Sequence, residues 1–236
     1  MIKTKLILIE GVPGSGKSTI ALKLQETISQ NRRASQCFLE WSADNPIPIG
    51  TAGNLSQIIS TTKAREEQTL QDWRRFVESA RTQETVTIIE SRLWQTAGMY
   101  LYLSGHSEDE IHNSSRRLIS VVAELDPVLI YLAPKNLAKL FADISTVRNK
   151  KWRESGQEGS WEEWGDQIYG QQEWFKRHHL PGKYSLQFFI EWQKIADRLY
   201  LAFPFSKIKL DNPEHSWPST LSKIRDFLFP TTPNPS

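Results

Sequence analysis

Eight residues, Gly11-Val12-Pro13-Gly14-Ser15-Gly16-Lys17-Ser18, constrain this chain more than any other stretch. Four residues separate Gly11 from Gly16, which is followed at once by Lys and Ser. Such a turn lets backbone N–H groups converge on an anion, because glycine reaches the required conformations and leaves room for close approach. Before the turn, Leu6-Ile7-Leu8-Ile9 is an unbroken apolar run suited to a strand buried on both faces of a parallel sheet. After it, Ile20, Leu24 and Ile28 recur at the spacing of one helical face. Strand, glycine nest and helix N-terminus together bring amides, a dipole and a lysine to one point, which is what a phosphate chain requires. Gly11, Pro13, Gly14, Ser15 and Gly16 then shape the loop, and Lys17 reaches the β- and γ-phosphates. The Ser18 hydroxyl is placed to ligate Mg²⁺, and Thr19 to donate to an α-phosphate oxygen.

The rest of the chain alternates strands with helices. A second strand is expected near Gln36 to Trp41, followed by a loop around Pro46 and Pro48, which oppose both helix and central strand pairing. Thr62 to Arg81 mixes charged and apolar residues without Gly or Pro and reads as a largely exposed helix leading into a strand at Val86 to Ile89. Leu93, Ala97 and Leu101 continue at helical spacing to Gly105, and Ser107 with Glu110 spells a capping box for the next helix. Asp126-Pro127 closes that helix before a strand at Val128 to Leu132. Leu137, Leu140, Phe141 and Ile144 mark another helix. From Thr146 to Gly182 the apolar period is lost, and this stretch is the candidate lid. Phe188, Phe189, Trp192, Ile195, Ala196 and Leu199 restore a helical face, before a strand near Ile208 to Leu210 and a helix from about Ser219 to Phe229. The expectation is an α/β fold in three α/β/α layers with a mainly parallel sheet of about five strands. One domain spans 1–229, with 146–182 as its lid and 230–236 as a flexible tail.

Composition narrows the function. With 29 Lys and Arg against 27 Asp and Glu in 236 residues, the formal charge is +2, too balanced for a broad nucleic-acid-binding field. Cys37 is the one cysteine and cannot pair within the chain, and no apolar run reaches the ~20 residues that span a membrane. The N-terminus enters an apolar strand directly, so no cleaved leader is expected. The chain reads as cytoplasmic.

Further candidates lie where strands end. Glu90 directly follows Val86-Thr87-Ile88-Ile89 and can hold Mg²⁺ or its water; a solvated strand end is the plain alternative. Glu40, after the second strand, is a candidate general base for an acceptor hydroxyl, and Asp44 competes for that role. Arg148, Lys150, Lys151 and Arg153 form a basic cluster at the start of the lid, where Arg148 and Arg153 are better suited than the lysines to a transferring phosphoryl group. Arg92 is a second source of that charge. Trp41, beside Glu40, can flank a planar or sugar-like substrate, whereas most of the 9 Trp, including Trp94, Trp152, Trp161, Trp164 and Trp174, read as local packing. His178-His179 reads as lid surface rather than as a metal site, since adjacent histidines do not face one way.

Gly11 to Thr19, with Glu40-Trp41, Glu90-Ser91-Arg92, the basic stretch around Arg148 and Asp211-Asn212, resembles the P-loop kinases of small molecules, nearest in pattern to deoxyribonucleoside kinases. The resemblance implies a P-loop NTPase fold, with an acid after the second strand as base, an acid and arginine after the third, and lid arginines on the phosphates. Here the order is Glu-Ser-Arg, and Ala133 stands where many nucleotide kinases carry Asp. The expected activity is ATP- and Mg²⁺-dependent phosphoryl transfer to a nucleoside, nucleotide, sugar or antibiotic, with room for a homodimer. A P-loop NTPase switch acting on a protein partner is the alternative. Its GTPase form would carry Asn-Lys-x-Asp, whereas Asn149-Lys150 continues into Lys151 and Trp152. A third class, end-phosphorylation of RNA or DNA, would need a basic groove.

Overall fold

The computed structural model describes residues 3–178, 184–211 and 217–230. The opening unit is strand β1 (Leu6–Gly11), the glycine loop and helix α1 (Lys17–Gln30), followed by strand β2 (Ser35–Phe38). Helices α2 (Leu55–Thr61) and α3 (Glu66–Arg81) lead to strand β3 (Val86–Glu90), then to α4 (Tyr100–Leu103) and α5 (Glu108–Val122). Strand β4 (Val128–Leu132) precedes α6 (Leu137–Glu154), α7 (Trp161–Tyr169), α8 (Glu173–His178) and α9 (Tyr184–Ala202). Strand β5 (Lys207–Leu210) and α10 (Trp217–Leu228) complete the described elements. The five strands form one sheet in the order β2-β3-β1-β4-β5, and every pairing is parallel.

Alternation along the central strands builds two cores. Leu6 and Leu8 of β1 face the layer that holds α3, α5, α6 and α9, while Ile7 and Ile9 face α1 and α10. All four are fully buried, a burial that stabilises by roughly 1.5–3 kcal/mol per side chain. Because parallel strands all run one way, their carboxyl ends share one edge, and the residues that follow β1, β2 and β3 meet there.

Four expectations need correction. Strand β2 ends at Phe38, so Glu40 and Trp41 lie in the turn beyond it. The stretch 62–81 is not a largely exposed helix: α3 buries Leu70, Trp73, Phe76, Val77 and Ala80. Their three- and four-residue spacing is an apolar stripe that the intervening charges obscure. The continuous helix expected from Leu93 is interrupted by a π turn at Gln95–Met99, where the amides of Gly98 and Met99 share the Trp94 carbonyl at 2.8 Å. The candidate lid is helical rather than irregular. Helix α6 runs on to Glu154 although its second half buries no apolar face, and Lys150 pairs with Glu154 at 3.9 Å one turn on. Helix α7 starts at a Ser160/Glu163 capping box, written in the sequence as plainly as the Ser107/Glu110 box of α5. Residues 179–182 and 231–236, the ends of the expected lid and tail, lie outside the described residues.

Helix α5 offers a direct test of the local reading. Ser107 Oγ accepts from the Glu110 amide at 3.3 Å, and Glu110 Oε2 accepts from the Ser107 amide at 2.9 Å. Ser107→Ala removes one of the two partners and is expected to cost about 1 kcal/mol. Urea unfolding will show a lower midpoint with unchanged slope; an unmoved midpoint would mean the box contributes nothing.

Candidate active site

The phosphate loop holds its shape through glycine. Gly14 has φ +82°, and a Cβ there would stand 1.8 Å from Ile144 Cδ1 of α6. Gly16 has φ +91°, and a Cβ there would meet the Trp217 ring of α10 at 2.0 Å. Lys17 opens α1 and is buried, its Nζ donating to the carbonyls of Gly11 and Val12 at 3.0 and 3.1 Å. The ammonium therefore lies across the loop. Ser15 is fully buried, and its Oγ has no hydrogen-bond partner among the described residues, an orphan that a phosphate oxygen would satisfy.

Glu90 links the two halves of the site. Its Oε1 accepts from Ser18 Oγ at 2.9 Å, and its Oε2 accepts from the Glu40 backbone amide at 3.3 Å. The Ser18 hydroxyl and the Glu90 carboxylate are a hard oxygen pair, which fits Mg²⁺, an ion that takes few protein ligands and completes its shell with water and phosphate. Among the described residues no three His, Cys, Asp or Glu side chains gather as an all-protein metal cage.

Glu40 is half-buried at the edge of a cavity of about 150 Å³. Burial pushes its carboxyl above the usual carboxylate range, opposed by the charge of Lys17. Gln95, delivered by the π turn, donates to Glu40 Oε1. Arg92 lies beneath: its Nε donates to the Ile47 carbonyl at 3.0 Å and its Nη2 to the Glu40 carbonyl, so it braces the segment after β2 from inside. Trp41, 41% exposed, also lines the cavity, and Arg148 enters it from α6 with its guanidinium 4.4 Å from the centre of the Trp161 ring.

The structure thus gathers Lys17, Ser18, Glu40, Glu90, Arg92 and Arg148 around one point. Asp44 is exposed and does not line the cavity. Arg153, in the last turn of α6, is exposed with Lys150 and Lys151, and none of the three lines it. His178 stacks on Trp174, with ring centroids 4.0 Å apart, and bonds its carbonyl through Nδ1 at 2.7 Å; His179 and Asn212 lie outside the described residues.

Sequence reasoning missed Glu10. Its Oε1 accepts from the Leu93 and Trp94 amides at 2.7 and 3.1 Å, tying the end of β1 to the segment that carries Arg92 and Gln95. Burial pushes this carboxyl up to about 7, against the lowering effect of the two amides and of Lys17. The signal was present as a lone acid ending an otherwise apolar strand. Tyr100, Glu162, Tyr169 and Phe189 were missed as well, because their places around the cavity come from helices far apart in sequence.

Comparison with known proteins agrees with this architecture. The model of the viral superfamily 1 RNA helicase core domain matches residues 7–72, less than a third of the chain, including β1, the phosphate loop and α1. Deoxyadenosine kinase from M. mycoides, solved with dATP, superposes with a TM-score of 0.51 at 16% identity, covering 94% of this chain and 97% of that one. Thymidylate kinase from Candida albicans superposes with a TM-score of 0.50 at 15% identity, covering 96% and 91%. No curated protein matches in sequence. The chain has a P-loop NTPase fold. Within that class its architecture resembles the nucleoside and nucleotide kinases. Among the described residues no helix is long and apolar enough to cross a membrane.

Glu10 generates a pH test. Its carboxyl titrates near 7 when folded and near the ordinary ~4.3 when unfolded. Below the unfolded value both states hold the proton. As pH rises toward 7 the unfolded chain releases it first, so stability falls, and above 7 the loss is complete, at ~4 kcal/mol or less. Glu10→Gln keeps an oxygen for both amides and removes this term. Its melting temperature relative to the native chain is expected to rise between pH 5 and pH 8; a pH-independent difference would contradict the raised value.

Proposed function

We propose that the protein is a kinase that transfers the γ-phosphoryl group of ATP, with Mg²⁺, to a hydroxyl of a small molecule in the cytoplasm. The observation that carries this reading is the Glu90 bridge, which sets the phosphate loop and the acceptor-side Glu40 about a single carboxylate. Further support comes from the fold of its structural neighbours, two of which are named as kinases of a nucleoside and of a nucleotide.

In this reading the loop amides and Lys17 hold the phosphate oxygens, and Ser18 and Glu90 hold the metal. A divalent cation held there would supply positive charge to offset that of the phosphates. Glu40 takes the proton of the acceptor hydroxyl as its oxygen bonds to phosphorus and the bond to the departing ADP breaks. A carboxyl raised by burial is a stronger base than an exposed one, which suits this task. Residues 146–182 act as a lid, and Arg148 is the guanidinium best placed to meet the transferring group. Arg153 would need lid movement to take part.

Incubation with γ-labelled ATP, Mg²⁺ and pooled acceptors tests the reading. Labelled acceptor supports it, and phosphate release alone, altered by a protein partner, overturns it in favour of a switch. Lys17→Ala is expected to lower transfer by about 10²–10³ through loss of a fixed positive charge, with the fold retained by circular dichroism. Glu40→Gln is expected to lower transfer by about 10²–10⁴ while ATP affinity, read by calorimetry, stays near native. Full transfer by Glu40→Gln together with loss in Asp44→Asn would move the base to Asp44.

A further inference from the structure

The cavity beside Glu40 has a size and a charge pattern that select among acceptors. This inference rests on reading that cavity as the acceptor site. Its volume, about 150 Å³, is that of an apolar cavity which takes up one benzene-sized ring. Seven of the fifteen described residues lining it are aromatic. Tyr100, Phe141, Tyr169 and Phe189 come from four helices, α4, α6, α7 and α9, and Trp161 and Trp164 from the start of α7. Aromatic walls at this density favour a flat ring, which they can stack on or meet edge-on.

The charges point the same way. Among the described residues Glu40 and Glu162 both line the cavity, against Arg148 as the one cation. Partial burial raises the Glu162 carboxyl, but hydrogen bonds from Ser145, its own backbone and Asn149 together hold it below the usual carboxylate range. Arg148 is already engaged with the face of the Trp161 ring through a cation–π contact. A phosphomonoester carries a charge of about −1.5 to −2 and is ordinarily met by a cluster of arginines. Here it would face two carboxylates and one arginine. A polyol would leave most of its hydroxyls against aromatic faces, at a cost for each unpaired group.

We propose that the acceptor is a small, uncharged alcohol bearing a single planar ring, and that the cavity rejects phosphomonoesters, fused double rings and sugars without an aromatic group. Glu162 is then a specificity-determining residue that repels anionic acceptors.

Binding tests this without turnover. Calorimetry is run on the native protein with Mg²⁺ and a saturating non-hydrolysable ATP analogue, so that the phosphate loop is filled. The probes are thymidine, deoxycytidine and pyridoxine as single-ring alcohols, deoxyguanosine as a fused ring, thymidine 5′-monophosphate as the anion, and glucose as the polyol. At least one single-ring alcohol is expected to bind about tenfold or more tighter than deoxyguanosine and about a hundredfold tighter than the monophosphate or glucose. Glu162→Gln is expected to narrow the gap to the monophosphate by about tenfold, as removal of one nearby like charge does. Tighter binding of the monophosphate or the purine, or no binding by any single-ring alcohol, overturns the proposal. Binding in the expected order without phosphoryl transfer would overturn the kinase reading and leave the cavity's selectivity standing.

Discussion

Two oxygens of one carboxylate hold this site together. Glu90 ends a central strand and turns one oxygen to the Ser18 hydroxyl on α1 and the other to the Glu40 amide beyond the edge strand β2. A parallel sheet brings strand ends to one edge but does not set the loops that follow them, and here a charged acceptor bridging two elements does. Arg92 and Gln95, on the same strand's continuation, complete the fastening from below and from the side. Glu10 then ties that continuation back to β1.

Much of this architecture could be read before the structure, for physical reasons that also mark where reading stops. Strands buried on both faces print themselves as unbroken runs, so Leu6–Ile9 and Val128–Leu132 are plain, and a glycine nest admits few substitutes. Helix α3 hid its stripe because Asp72, buried beside Trp73, breaks the apolar pattern at a core position. The second half of α6 buries no apolar residue and carries the surface pair Lys150–Glu154, which leaves no apolar period to find. Of the site, Lys17, Ser18, Glu40 and Glu90 were legible because each sits at a strand or helix end that the fold class brings together. Glu10 was not: the sequence shows an acid at the end of a strand, but only the packed structure shows which amides it meets.

Buried charge is concentrated around the cavity. Glu10, Glu40, Arg92 and Arg148 lie within one network in which burial shifts each group toward its neutral form and an opposite charge shifts it back. Such a network is seldom a source of stability, since desolvation offsets most of the attraction. Its persistence beside the phosphate loop fits a region arranged for reaction, with stability drawn instead from the aliphatic and aromatic layers on either face of the sheet.

The strand order divides the site unequally. The phosphate loop hangs from β1, which is paired on both sides by β3 and β4 and lies at the middle of the sheet. Glu40 and Trp41 hang from β2, a four-residue strand that is paired on one side only and is half-buried along its length. Local opening follows such differences in pairing and burial. The phosphate loop therefore belongs with the part of the sheet expected to exchange its amide hydrogens last, and the Glu40 turn with the part expected to exchange first. One turn of the site is thus held by a single strand pairing, and the loop opposite by two.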